Sequence, residues 1–264
     1  MRPILAILLS ALVSLQPAAL QESTSSKVWI GRYAEFEQFL RTAEIVDTVG
    51  TPVGITSPRH ALFKPGVLAA GAALKTIRPG SYNGYWESYK SEIAAYRLDR
   101  LLELDMVPPT VERDYYGAPA SLQLWIEHTI MLKEVKAKQL TPPDAAKWNR
   151  QLHRVYLFDD LVANVDENEG NLLFDPEWNF VKIDHSRAFT TTTALPFAIG
   201  KTLAQIDRPL FDRMKRLDRA AAEREIGSLV EAGCLDALFA RRDAIVTALE
   251  QLARQKGAAG VFVP

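Results

Sequence analysis

Cysteine is almost missing from this chain. One residue, Cys234, among 264 rules out an intramolecular disulfide framework and a cysteine-clustered zinc site. Histidine is scarce too: His60, His128, His153 and His185 stand too far apart in sequence to suggest a histidine metal site. An excess of one charge is lacking, since 31 basic side chains meet 32 acidic ones for a formal charge of −1. With no block of like charge either, the sequence carries no footprint for nucleic acid. The N-terminal apolar stretch, residues 4–13 (ILAILLSALV), falls short of the roughly 20 residues that a membrane span requires. What remains is ordinary for a folded chain. At 48% hydrophobic and 24% charged it excludes wholesale disorder and allows a sizeable core, in one large domain or two lobes sharing an interface.

The first residues are not ordinary fold material. Arg2 precedes the apolar stretch, and small and polar residues follow it in 16–26. That layout reads as a secretory signal peptide over residues 1–19, although Pro17, three back from a cut after Ala19, suits cleavage poorly. The expectation is an exported chain (periplasmic, secreted or in a secretory lumen) with no transmembrane span in its mature part. An uncleaved N-terminal anchor or a cytoplasmic chain is the alternative.

Hydrophobic periodicity divides residues 20–264 into two parts. The spacing predicts a helix over 33–41, β-type runs over 43–49, 60–63 and 69–77, and a helix over 88–102. Two further strands, 110–113 and 120–126, form a hairpin about Tyr116-Gly117. Beyond them, 144–163 is strongly helical, 171–175 and 180–184 are short strands, and helices dominate from Pro209, most clearly 241–256. The expected architecture is α+β, with a β-rich N-lobe over about 28–127, an α-helical C-lobe over about 128–264, and a cleft between them.

The chemistry concentrates in the stretch NVDENEGNLLF. Asp166 is followed by Asn171 five positions on, and Asp184 stands thirteen further, at the end of the next short hairpin. This spacing fits phosphoryl transfer, with hard oxygen ligands for Mg²⁺ bridging nucleotide phosphates and an Asp that orients or deprotonates an incoming hydroxyl. Upstream, Lys75 ends the β-like run Ala72-Ala73-Leu74, where a phosphate-binding lysine would sit. Glu92, within the predicted helix, is spaced to pair with it. The bend 50–56, containing Gly54 and Thr56, is a weaker candidate for covering phosphates through backbone N–H groups. His185 reads as a satisfied structural histidine, and Cys234 as a packing residue ahead of a helix.

The segments GTPVGIT, AALK, YKSEIAAYRLDRLL, DMVPPTV, LQLWIE, NVDENEGNLLFD and WNFVKIDHSRAF resemble the atypical protein-kinase-like phosphotransferases. That group holds HipA-type kinases, phosphatidylinositol 3/4-kinase-like proteins and secretory-pathway kinases. The resemblance spans roughly residues 45–189. It implies a two-lobed protein-kinase-like fold and an ATP site with Lys75 and Glu92 as its ion pair. It also implies Asp166 as catalytic base and Asn171 and Asp184 as metal ligands for Mg²⁺. The strand 122–127, with Trp125 and Glu127, would read adenine. The pattern departs from conventional kinases: there is no His-Arg-Asp triplet, and His185-Ser186 follows Asp184 in place of Phe-Gly. The implied activity is transfer of the ATP γ-phosphate to a hydroxyl, first of a protein, with glycan, lipid or small-molecule hydroxyls next. An adenylyl transferase or a non-catalytic nucleotide-binding scaffold on the same fold are the alternatives.

Overall fold

The computed structural model describes residues 26–51, 58–166, 168–196 and 205–263. The stretch expected as a signal peptide (1–19), Gly54 and Thr56 lie outside the described residues.

Helix α1 (Tyr33–Thr42) buries Phe36 and Leu40, one turn apart, against the first sheet. That sheet takes β1 (Ile45–Gly50), β2 (Arg59–Phe63) and β3 (Gly71–Lys75) in antiparallel succession. A short hairpin, β4 (Gly80–Tyr82) and β5 (Tyr85–Glu87), then leads into α2 (Tyr89–Leu101). Ser88 caps α2, its hydroxyl accepting from the Lys90 N–H at 3.0 Å. β6 (Thr110–Tyr115) and β7 (Ala118–Leu124) complete the sheet in the order β1-β2-β3-β7-β6. β3, carrying Lys75, is thus the central strand.

After β7 come β8 (Ile130–Met131), α3 (Leu132–Ala137) and α4 (Ala145–Val162). β9 (Leu172–Phe174) and β10 (Phe180–Lys182) join β8 in a three-stranded antiparallel sheet. α5 (Arg208–Arg216), α6 (Arg219–Ile226) and α7 (Cys234–Lys256) close the C-terminal half. Helix α7 starts at Cys234 rather than at Arg241, so Cys234 sits in its first turn and not ahead of it.

Two apolar cores result. One joins Trp29, Phe36, Leu40, Leu74 and Leu122 beneath the five-stranded sheet. The other, larger, gathers α4, β9, β10 and α7 around Phe158, Phe174, Phe180 and Leu238. Ala94, Tyr96 and Leu98 of α2 pack into this second core. Helix α2 therefore bears on both halves, and Glu92 in its first turn is set where they meet. The second core also holds a buried ion pair, Lys182 to Asp159 at 2.9 Å, with both side chains fully enclosed.

Candidate active site

Small residues explain how a lysine comes to stand at the centre of the cleft. In Gly71-Ala72-Ala73-Leu74-Lys75 the strand is narrow enough to run buried between β2 and β7, and it delivers Lys75 at its end. The Lys75 ammonium donates to Glu92 Oε1 and to Asp184 Oδ1, each at 2.6 Å. Glu92 is 2% exposed, and its second oxygen accepts the backbone N–H of His185 at 3.0 Å. One glutamate on α2 thereby ties β3 to the segment after β10. Burial alone would push the Lys75 ammonium down, but Asp184 and Glu92 outweigh it and hold it above its ordinary value. Burial likewise disfavours the Glu92 charge, and Lys75 overrides it, so the carboxyl sits at about 2.

Asp184 adopts a left-handed backbone with φ +64°, a conformation that non-glycine residues hold only where the surroundings enforce it. Its neighbours supply that constraint: Ser186 Oγ lies 3.1 Å from Asp184 Oδ1, and the Ser186 carbonyl accepts the Ser88 N–H at 2.9 Å.

Asp166 lies in the loop after α4, its side chain 38% exposed. The Asn171 amide nitrogen donates to the Asp166 carbonyl at 3.0 Å, which closes the loop across the five-residue spacing. The Ile183 N–H, next to Asp184, donates to the Asn171 carbonyl at 3.2 Å. The three residues of the spacing motif are therefore linked, Asn171 to Asp166 through its side-chain amide and to the residue before Asp184 through its carbonyl. Burial pushes the Asp166 carboxyl up from its ordinary value; Arg187 opposes this, while Asp184 and Glu87 reinforce it.

Beside this cluster a mainly apolar cavity of about 290 Å³ lies between the halves. Ala73 and Leu124 line it from the sheet, Leu173 and Ile183 from below, and Trp125 to Thr129 along the connecting segment. β7 ends at Leu124, so Trp125 and Glu127 stand on the link and not on the strand. Both line the cavity, but the Trp125 N–H is committed to the Gly71 carbonyl at 3.1 Å and its ring stacks on His60 at 3.9 Å. Trp125 thus offers a bound ring its carbonyl and side chain, not its amide.

No protein-family model matches the sequence, and a search of curated proteins finds no match. Solved structures do match. The Golgi casein kinase with Mn/ADP bound superposes with TM-score 0.64 at 14% identity, covering 88% of this chain and 78% of that one. Hydra Fam20 with sugar gives TM-score 0.66 at 13% identity, over 88% and 92%. The Helicobacter pylori proinflammatory kinase CtkA gives 0.53 at 12%, over 82% and 98%. The fold is that of the atypical protein kinases.

In this kinase-like fold the donors facing a cation would be few. Among the described residues no three His, Cys, Asp or Glu side chains gather into a metal cage. The candidate set is the Asp184 carboxylate and the Asn171 amide, whose nitrogen is already spent on Asp166, leaving its oxygen. Such a sparse hard-oxygen set fits Mg²⁺, which keeps several waters and shares phosphate oxygens.

His185 departs from the sequence reading. Its backbone N–H is satisfied, yet neither ring nitrogen has a hydrogen-bond partner among the described residues; Nδ1 stands 3.8 Å from Glu92 Oε2, and the ring meets Phe158 edge-on. Burial pushes its imidazole down, so the ring is neutral at physiological pH and serves as packing.

Sequence reasoning passed over Glu87 and Arg187. Arg187 is 7% exposed and pairs with Glu87 and with Asp166. Only its position three past Asp184, within the quoted segment WNFVKIDHSRAF, could have drawn notice.

Proposed function

We propose that the chain is an ATP- and Mg²⁺-dependent phosphotransferase that moves the γ-phosphate to a hydroxyl acceptor. The observation that carries this reading is the bridge Glu92–Lys75–Asp184, buried at Glu92 and Lys75 and part-buried at Asp184, two contacts of 2.6 Å beside an apolar cavity in a kinase-like fold. A charge chain of this kind has little value for stability, because desolvating three ions offsets much of their attraction. With one ammonium between two carboxylates the chain is net negative, so it suits a phosphate chain only together with a divalent cation, Lys75 being held in place for the phosphates.

In this reading the adenine ring enters the cavity against Ala73, Leu124, Leu173 and Ile183, with Trp125 and Glu127 at its edge. Lys75, aimed by Glu92, offsets phosphate charge. Asp184 and the Asn171 oxygen would hold Mg²⁺, which would supply further charge neutralisation at the phosphates. Asp166 orients the acceptor hydroxyl and accepts its proton. The acceptor oxygen bonds to the γ-phosphorus as the bond from phosphorus to the ADP oxygen breaks, and ADP leaves. The Asp166 carboxyl, raised by burial, is suited to holding that proton transiently. The first acceptor to examine is a protein hydroxyl, and an expected signal peptide over residues 1–19 would place the chain in the periplasm, outside the cell or in a secretory lumen.

The test is transfer from labelled ATP by the purified chain with Mg²⁺. Label from the γ-position is expected to move to acceptor or water, and Asp166→Asn to reduce the rate by roughly a hundredfold or more. Transfer from α-labelled ATP instead would make the protein an adenylyl transferase. Equal γ-transfer by wild type and Asp166→Asn would end the assignment.

A further inference from the structure

The Asp166 backbone is held by its loop, since its carbonyl accepts from Asn171. Its carboxylate is held by something else. Arg187 Nη1 lies 3.1 Å from Asp166 Oδ2. The same guanidinium turns its other edge to Glu87, with Nε at 2.8 Å and Nη2 at 2.7 Å from Oε1, and its face lies 4.5 Å from the centre of the Tyr85 ring. Glu87 is 4% exposed and closes β5 directly ahead of the α2 cap, Ser88.

This arrangement is more than a surface pair. Surface ion pairs gain little because both long side chains keep many rotamers. Here the guanidinium is enclosed, its plane is fixed on one edge by a buried carboxylate and on its face by an aromatic ring, and Nη1 is turned to Asp166. A planar fork pinned in this way transmits direction, which a lysine ammonium cannot. Three elements converge on it: the β4–β5 hairpin through Glu87 and Tyr85, the loop after α4 through Asp166, and the segment after β10 through Arg187 itself.

We propose that Glu87 and Arg187 form a positioning pair that aims the Asp166 carboxylate at the acceptor hydroxyl. The inference rests on the phosphotransferase reading. Arg187 acts on the reaction through Asp166, and Glu87 acts through Arg187. A misaimed base lowers the rate of the chemical step without weakening nucleotide binding.

The experiment measures Mg·ATP turnover with water as acceptor, as kcat and KM, in wild type, Asp166→Asn, Arg187→Lys, Arg187→Met, Glu87→Gln and the double variant Glu87→Gln/Arg187→Met. Melting curves accompany each protein. Arg187→Lys keeps the charge and is expected to lose about ten- to a hundredfold in kcat with the KM for ATP within about twofold. Glu87→Gln is expected to lose less. The double variant, which leaves no unpaired buried ion, is expected to match Arg187→Met alone, because the two residues act in series. Wild-type kcat in Arg187→Lys or in the double variant overturns the positioning role. So does a raised KM at unchanged kcat, which makes Arg187 a nucleotide ligand, and so does loss of the folded state in both variants, which makes the pair a structural tie. Those outcomes leave Asp166→Asn inactive. Full turnover by Asp166→Asn, or none by wild type, instead removes the phosphotransferase reading, and the pair's role with it.

Discussion

Asp99 shows how burial and charge compete at a single residue of this fold. It lies on α2 two turns beyond Glu92, is 1% exposed, and its Oδ1 accepts the Met106 N–H at 3.1 Å. Burial pushes its carboxyl up to about 7, against the pull of the Met106 N–H and of Lys27; Asp105 adds to the rise. Between the ordinary value of 3.8 and about 7, the folded chain keeps this proton while the unfolded chain releases it. The unfolded state then binds fewer protons, so this group's contribution to stability falls as pH rises across that window and is flat above it. Asp99→Asn keeps an acceptor for Met106 and removes the titration. The melting temperature of the variant minus that of wild type is expected to increase from pH 4 to pH 7. A difference independent of pH over that range would show that Asp99 is ionised in the folded protein throughout.

At the scale of elements, the segment that carries Asp184 is secured from behind by α7. Arg241, fully buried, donates from Nε to the Leu161 carbonyl at 2.9 Å and from Nη1 to the carbonyls of Thr190, at 3.3 Å, and Thr192. One side chain thus joins the end of α4, the stretch after Asp184 and the C-terminal helix. Arg241→Met leaves those carbonyls without their donor, at a cost of about 1–3 kcal/mol for each that stays dry. Amide exchange is expected to quicken in residues 188–195 while β3 and α2 keep their protection. Unchanged exchange in 188–195 would contradict the tie.

Much of this framework was legible in the sequence, for physical reasons. α2 and α4 repeat apolar residues at helical spacing, and β3 is a short apolar run between turns, so their existence follows from periodicity. Lys75, Glu92 and Asp184 were legible only through their order along the chain. The β4–β5 hairpin went unread although Asn83-Gly84, with φ of +51° and +85°, is the dipeptide that favours a tight hairpin turn. Arg187 was not legible, because its partner Glu87 lies 100 positions away and an arginine's spacing does not reveal which carboxylate it meets. The start of α7 was hidden because Gly233, with φ +82°, begins the helix without a side-chain cap.

At the scale of the whole molecule, two apolar cores meet at a cleft crossed by the Glu92–Lys75–Asp184 charge chain, and the fold spans 88% of the chain in its match to hydra Fam20. The central claim is that this cleft seats Mg·ATP, with Lys75 on the phosphates and Asp184 on the cation. The most direct measurement is calorimetric titration of ATP into the wild-type chain with and without Mg²⁺, repeated with Asp184→Ala. Saturable one-to-one binding is expected with Mg²⁺, raising the melting temperature as ATP exceeds its Kd. Without Mg²⁺, and in Asp184→Ala, that binding is expected to weaken sharply. Absence of ATP binding by the folded wild-type chain, or binding indifferent to both Mg²⁺ and Asp184, would contradict the account.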